Sequence, residues 1–98
     1  MAAIAKEKAR DTFLRTCKGM ADFWAKVDGR TEAEKIDGVV FSILAMIDGC
    51  NIGLPAMDIV VRPHPEDKQY CIDNGEDYYE DGMTINDDVM LHDMWGKY

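Results

Sequence analysis

The stretch from Thr31 to Pro55 constrains this chain most, because it fixes both ends of one helix and makes that helix apolar on nearly every side. Glu34 follows Thr31 at the spacing at which each side chain can satisfy the other's backbone amide. Glu32 adds an acid at the positive helix end. A helix over residues 32–47 follows. Ile36, Val40, Ile43, Leu44 and Ile47 make one stripe, and Val39, Phe41 and Met46 add apolar cover on other sides. A helix of this kind is expected to be buried on most faces, so it needs neighbours. Gly38 costs about 1 kcal/mol relative to Ala in a helix interior. Tolerance is the simpler explanation for it, and a close helix crossing is the alternative. Asp48 and Gly49, then Asn51, Gly53 and Pro55, end the helix in a loop.

The preceding residues supply a first neighbour. Phe13, Cys17, Met20, Trp24 and Val27 recur at helical steps, with Leu14 and Phe23 widening the stripe. Asp11 and Arg15 form an i,i+4 pair on another face. The turn signal Asp28-Gly29 predicts the helix end, and a connection of about three residues predicts an antiparallel pair. Phe23 lies beside Trp24, and the second helix is apolar on several sides. Together they predict more apolar surface than a monomer covers, and hence a homodimer.

Beyond the loop, Met57, Ile59 and Val61 alternate with Asp58, Val60 and Arg62, which predicts a strand over residues 57–62 closed by Pro63. Pro63-His64-Pro65 predicts an extended segment, and residues 66–72 a short helix with Asn74-Gly75 past its end. Residues 77–85 mix strand formers with a break at Gly82, which predicts loop and an edge strand able to pair with 57–62. Asn86 or Asp87 is placed to cap a last helix over 88–97, with Leu91, Met94 and Trp95 inward. The expected fold is α+β, an antiparallel helix pair packed on a small sheet with a short C-terminal helix. With 98 residues and 47% hydrophobic side chains, a single domain is expected.

The charge is unevenly placed. Residues 1–49 carry eight bases and eight acids, whereas residues 50–98 carry three bases and eleven acids, so the net charge of -8 belongs to the second half. No base lies between Lys68 and Lys97. Within that span Glu76, Asp77, Glu80, Asp81, Asp87 and Asp88 surround Tyr78 and Tyr79. Such a face repels nucleic acid and attracts basic protein surfaces. Solvated surface that keeps the chain dispersed is the plain alternative. Against it, the tyrosines offer contact area and the carboxylates offer arginine pairing and steering, and carboxylates at irregular spacing can mimic nucleic-acid phosphates. Met57, Met83, Met90 and Met94 would add an adaptable apolar rim, although core filling is the commoner use of Met.

Specific chemistry is poorly supported. Asp77, Asp81, Gly82 and Asp88 match four positions of a calcium loop, but Tyr79 stands where the third-position ligand belongs and Asp88 replaces the bidentate Glu. His64, Cys71 and His92 could ligate zinc, yet no two have a short metal-binding spacing. No Gly-rich phosphate loop occurs, and Ser42, the only serine, lies within the second helix. No enzyme activity, cofactor or metal is expected. The start MAAIAKEKAR has a short apolar stretch broken by charges, which predicts neither a signal peptide nor a membrane span. Cys17, Cys50 and Cys71 fit reduced thiols, and a cytoplasmic protein is expected.

The ordered strings VFSILAMIDGC, GLP, PHPEDKQY, NGEDYY and LHDMW, spread over roughly the last 60 residues, resemble a loose group of small uncharacterised bacteriophage and prophage proteins. The resemblance implies a phage-like origin and carries no functional residue. Small phage proteins commonly bind and inhibit host machinery, an association weaker than a site. The leading expectation is thus a non-enzymatic inhibitor of a basic, nucleic-acid-binding host protein, such as a CRISPR effector. Two rivals are an oligomeric binder that sequesters a small ligand or cyclic nucleotide, and a structural phage protein. A nucleotide binder would need cations facing the phosphates.

Overall fold

The computed structural model describes residues 1–98 and contains four helices: α1 (Lys6–Ala25), α2 (Glu32–Ile47), α3 (Asp67–Asp73) and α4 (Leu91–Trp95). The fold is helical, with no sheet, so the expected helix pair on a sheet is corrected. The chain forms two compact units, one of Met1–Met57 with Met90–Tyr98 and one of Asp58–Val89.

In the first unit, Thr31 accepts a hydrogen bond from the Glu34 amide and Glu34 accepts one from the Thr31 amide, closing the reciprocal cap that starts α2. These bonds, with Arg30 alongside, hold the Glu34 carboxyl below its ordinary value. The other end of α2 closes through Cys50 N–H to Ala45 C=O and Gly49 N–H to Met46 C=O. Gly49 takes the left-handed conformation this motif requires. The first helix stops three residues before Asp28-Gly29, at Ala25, so residues 26–31 form a longer connection than expected.

The two helices meet at Gly38. A methyl group there would lie 2.6 Å from the Trp24 indole, whose Nε1 donates to Ser42 Oγ at 2.9 Å. Gly38 is therefore a close crossing rather than a tolerated residue, and the lone serine serves as the indole's acceptor. Burial beyond this point is thin. Met46 is the one fully buried large side chain, α1 buries no residue, and Ile36 remains 67% exposed. A second helix covered on most faces is thus corrected. One packed helix neighbour and a five-residue α4 cover only part of its circumference.

The second unit holds α3 and the residues expected to form the sheet. Val61 N–H bonds Met83 C=O, Gly82 N–H bonds Val61 C=O, and Ile85 N–H bonds Ile59 C=O. These bonds amount to one isolated antiparallel bridge, Val60 to Thr84. The ladder cannot lengthen on one side because Pro63 offers no donor and Gly82, near it on the facing segment, takes positive φ. On the other, Asp88 takes positive φ and turns the chain away. Asn86, expected as a helix cap, is buried and accepts from Ile59 N–H at 2.8 Å. The last helix accordingly begins at Leu91, not at residue 88.

Gly38→Ala should lower the urea midpoint. Overpacking against the indole costs about 1–3 kcal/mol, more than the gain of about 1 kcal/mol in helix propensity. Gly19→Ala is the control: it faces open space in α1 and should raise the midpoint. Equal stabilisation by both changes would refute the close crossing.

Candidate functional site

Asp58–Val89 contains ten acids and two bases, Arg62 and Lys68, whereas the rest of the chain balances nine against nine. The whole net charge therefore belongs to one unit. Glu76, Asp77, Tyr78, Tyr79, Glu80, Asp81, Asp87 and Asp88 are all exposed. Residues 76–81 follow the Gly75 turn that ends α3, where Glu76 N–H bonds Cys71 C=O at 2.8 Å and Gly75 N–H bonds Ile72 C=O. This closure ends α3 and begins the acidic segment.

Lys68, on α3, enters the acidic group. Its Nζ lies 3.0 Å from Glu80 Oε1 and 5.0 Å from the Tyr78 ring centroid. The hydrogen bond and charge of Glu80, with a lesser part from Tyr78, raise the Lys68 pKa. The carboxylates are thus not wholly uncompensated, because Lys68 partners Glu80. Tyr78 is 41% exposed and Tyr79 67%, so Tyr79 is the more available of the two. Beside it a notch of about 200 Å³ opens between Pro63-His64-Pro65 and Tyr79, Glu80 and Asp81, with Lys68 at its wall. Lys68 displays the local chemistry: an ammonium held between a carboxylate and an aromatic face.

His64 is fixed within its loop. Its amide donates to Asp67 Oδ2 and its Nδ1 accepts from Glu66 N–H at 3.2 Å. His64 and Cys71 belong to one unit and His92 to the other. No three His, Cys, Asp or Glu residues are placed to hold a metal ion. All three cysteines are free, Cys17 and Cys71 partly buried and Cys50 exposed. Met83 and Met90 are exposed, while Met57 and Met94 are partly covered.

The first unit contains a polar cluster that sequence reasoning missed. Asp48, whose side chain is 1% exposed, accepts from Leu91 N–H at 3.0 Å, from His92 N–H at 2.8 Å, and lies 2.6 Å from His92 Nδ1. Burial opposes its charge, but these bonds from His92 and Leu91, with the charge of the His92 ring, outweigh it and hold the carboxyl below its ordinary value. His92 Nε2 faces Asp93 Oδ1 at 3.3 Å, and the ring packs edge-on against Phe41. Both ring nitrogens therefore face carboxylates, an arrangement suited to fastening α4. The partners stand more than forty residues apart, so no local spacing signals them.

A cleft of about 420 Å³ is lined by Trp24, Arg30, Ala33, Glu34, Asp37 and Gly38. One guanidinium there, already paired with Glu34, meets two carboxylates, which opposes phosphate binding. No helix is long and apolar enough to cross a membrane. Comparison with known protein families, curated proteins and solved structures gives no significant match.

Asp48→Ala should destabilise the first unit by about 3 kcal/mol, since it strands two amides and a histidine. The depressed Asp48 pKa stabilises the fold above the ordinary value of 3.8, and that stability is lost as the pH falls through the lower folded value. Acid unfolding followed by Trp fluorescence should show this step in the parent chain and lose it in Asp48→Asn. An unchanged acid profile in the variant would remove the assignment.

Proposed function

We propose that this chain is a non-enzymatic binding protein whose acidic unit docks on a basic, nucleic-acid-binding surface of another protein and inhibits it by occupying that surface. The observation that carries the reading is the confinement of the entire net charge to Asp58–Val89, with Tyr79 exposed between flanking acids. Carboxylates steer an approaching cationic surface, and an exposed tyrosine beside a small notch gives an arginine side chain both an aromatic face and acceptors. The docking set is Glu76, Asp77, Tyr78, Tyr79, Glu80, Asp81, Asp87 and Asp88, with Glu80 and Tyr78 in part held by Lys68. The resemblance to small phage proteins makes a cytoplasmic host defence protein, such as a CRISPR effector, the intended target. Sequestration of a nucleotide is less well supported, because the cleft beside Trp24 and Gly38 sets two carboxylates against its one arginine.

Affinity capture from a bacterial lysate tests the reading. The parent chain should retain nucleic-acid-binding proteins that elute with moderate salt, and an Asp77→Lys, Asp81→Lys variant should not. With a captured protein in hand, Tyr79→Ala should speed dissociation by roughly thirtyfold, the kinetic equivalent of about 2 kcal/mol. The charge-reversed variant should slow association by about tenfold or more at low salt and flatten its salt dependence. Equal capture by the parent and the charge-reversed chain would reduce the acidic face to solvated surface.

A further inference from the structure

We infer, resting on the docking reading above, that Lys68 is an internal competitor for the acidic surface: its ammonium occupies the seat an arginine of the partner takes, and the partner anchors there when Lys68 yields.

The occupied seat shows what it accepts. Lys68 Nζ lies 3.0 Å from Glu80 Oε1 and 5.0 Å from the centroid of the Tyr78 ring. A cation is thus already held by one carboxylate and one aromatic face of the docking set, the two groups with which such a surface grips an arginine. The helix does not call for this lysine. Lys68 is the second residue of α3, and the dipole at a helix start favours acids over bases. Arg62 is the only other base in Asp58–Val89, and it is Lys68 that Glu80 and Tyr78 engage.

The contact is also built to open. The Lys68 side chain is 48% exposed and that of Glu80 64%, and a pair so open to water is weak and readily exchanged. Glu80 uses one oxygen in it. A guanidinium can bond both oxygens and lie flat on a ring, so it has the means to displace an ammonium that makes a single bond. The surface therefore has a closed and an open state, and its apparent affinity for a cationic partner is reduced by the fraction that is open. Tyr79, Asp77 and Asp81 stay outside the contact, so steering is retained while anchoring waits for Lys68.

Binding of a synthetic oligoarginine peptide at low salt, followed by fluorescence anisotropy, tests the competition. Lys68→Gln, which keeps a good helix former, should bind the peptide about threefold or more tighter than Arg62→Gln does. Both variants remove one charge from the same unit, so long-range attraction rises alike. Only the first frees Glu80 and Tyr78. The difference should disappear when both chains also carry Glu80→Gln. With no peptide present, brief acetylation read by mass spectrometry should modify Lys68 more slowly than Lys6 and Lys8 of α1, because the Glu80 carboxylate holds its amine protonated. Equal affinities of Lys68→Gln and Arg62→Gln would overturn the inference and leave the docking reading standing, as would acetylation of Lys68 as fast as that of Lys6 and Lys8. Peptide binding that Asp77→Lys with Asp81→Lys leaves unchanged would overturn the docking reading, and this inference with it.

Discussion

The Asp48 carboxylate is the constraint on which the first unit depends. It stands at the C-cap of α2 and accepts the first two amides of α4, so one buried side chain joins elements separated by more than forty residues. An isolated five-residue helix is too short to persist in water, so its tertiary contacts must hold it. Asp48 supplies acceptors for its otherwise unpaired amides, and Asp37, accepting from Trp95 Nε1 at 3.0 Å, holds its other end. The chain leaves this unit after Met57 and rejoins it at Met90. That buried acceptor fixes the start of the returning segment, and Asp37 fixes its end.

What could be read from the sequence follows from distance along the chain. The Thr31–Glu34 cap, the span of α2 and the glycine closures at Gly49 and Gly75 depend on residues within five positions of one another, and all are visible as spacing. The α4 cap was misassigned because Asn86 and Asp87 are local candidates, whereas the residue that performs the task stands just past the end of α2. The expected sheet failed for a related reason. Alternation in residues 57–62 and strand formers in residues 77–85 identify two segments that do exchange hydrogen bonds. Alternation does not report that Pro63, Gly82 and Asp88 leave room for a single bridge.

The candidate docking surface was legible in composition and incomplete in detail. Counting charges located the acidic excess, and a list of types found Tyr78 and Tyr79. The intervention of Lys68, twelve residues from Glu80, depends on how α3 presents its side chain, which no count conveys. Its effect is specific: one carboxylate and one aromatic face are already engaged, so Tyr79 with Asp77 and Asp81 becomes the freer part of the surface.

Charge and apolar area are thus divided between the two units, and the division has a physical consequence. Ten acids against two bases make Asp58–Val89 self-repelling, and it is held by one helix, one bridge, the buried Asn86 and the Lys68 ion pair. Such a unit has little stability to spare and gains from a cationic partner that screens its carboxylates. The neutral unit has the opposite deficit, since its helices carry apolar faces that one copy leaves partly uncovered.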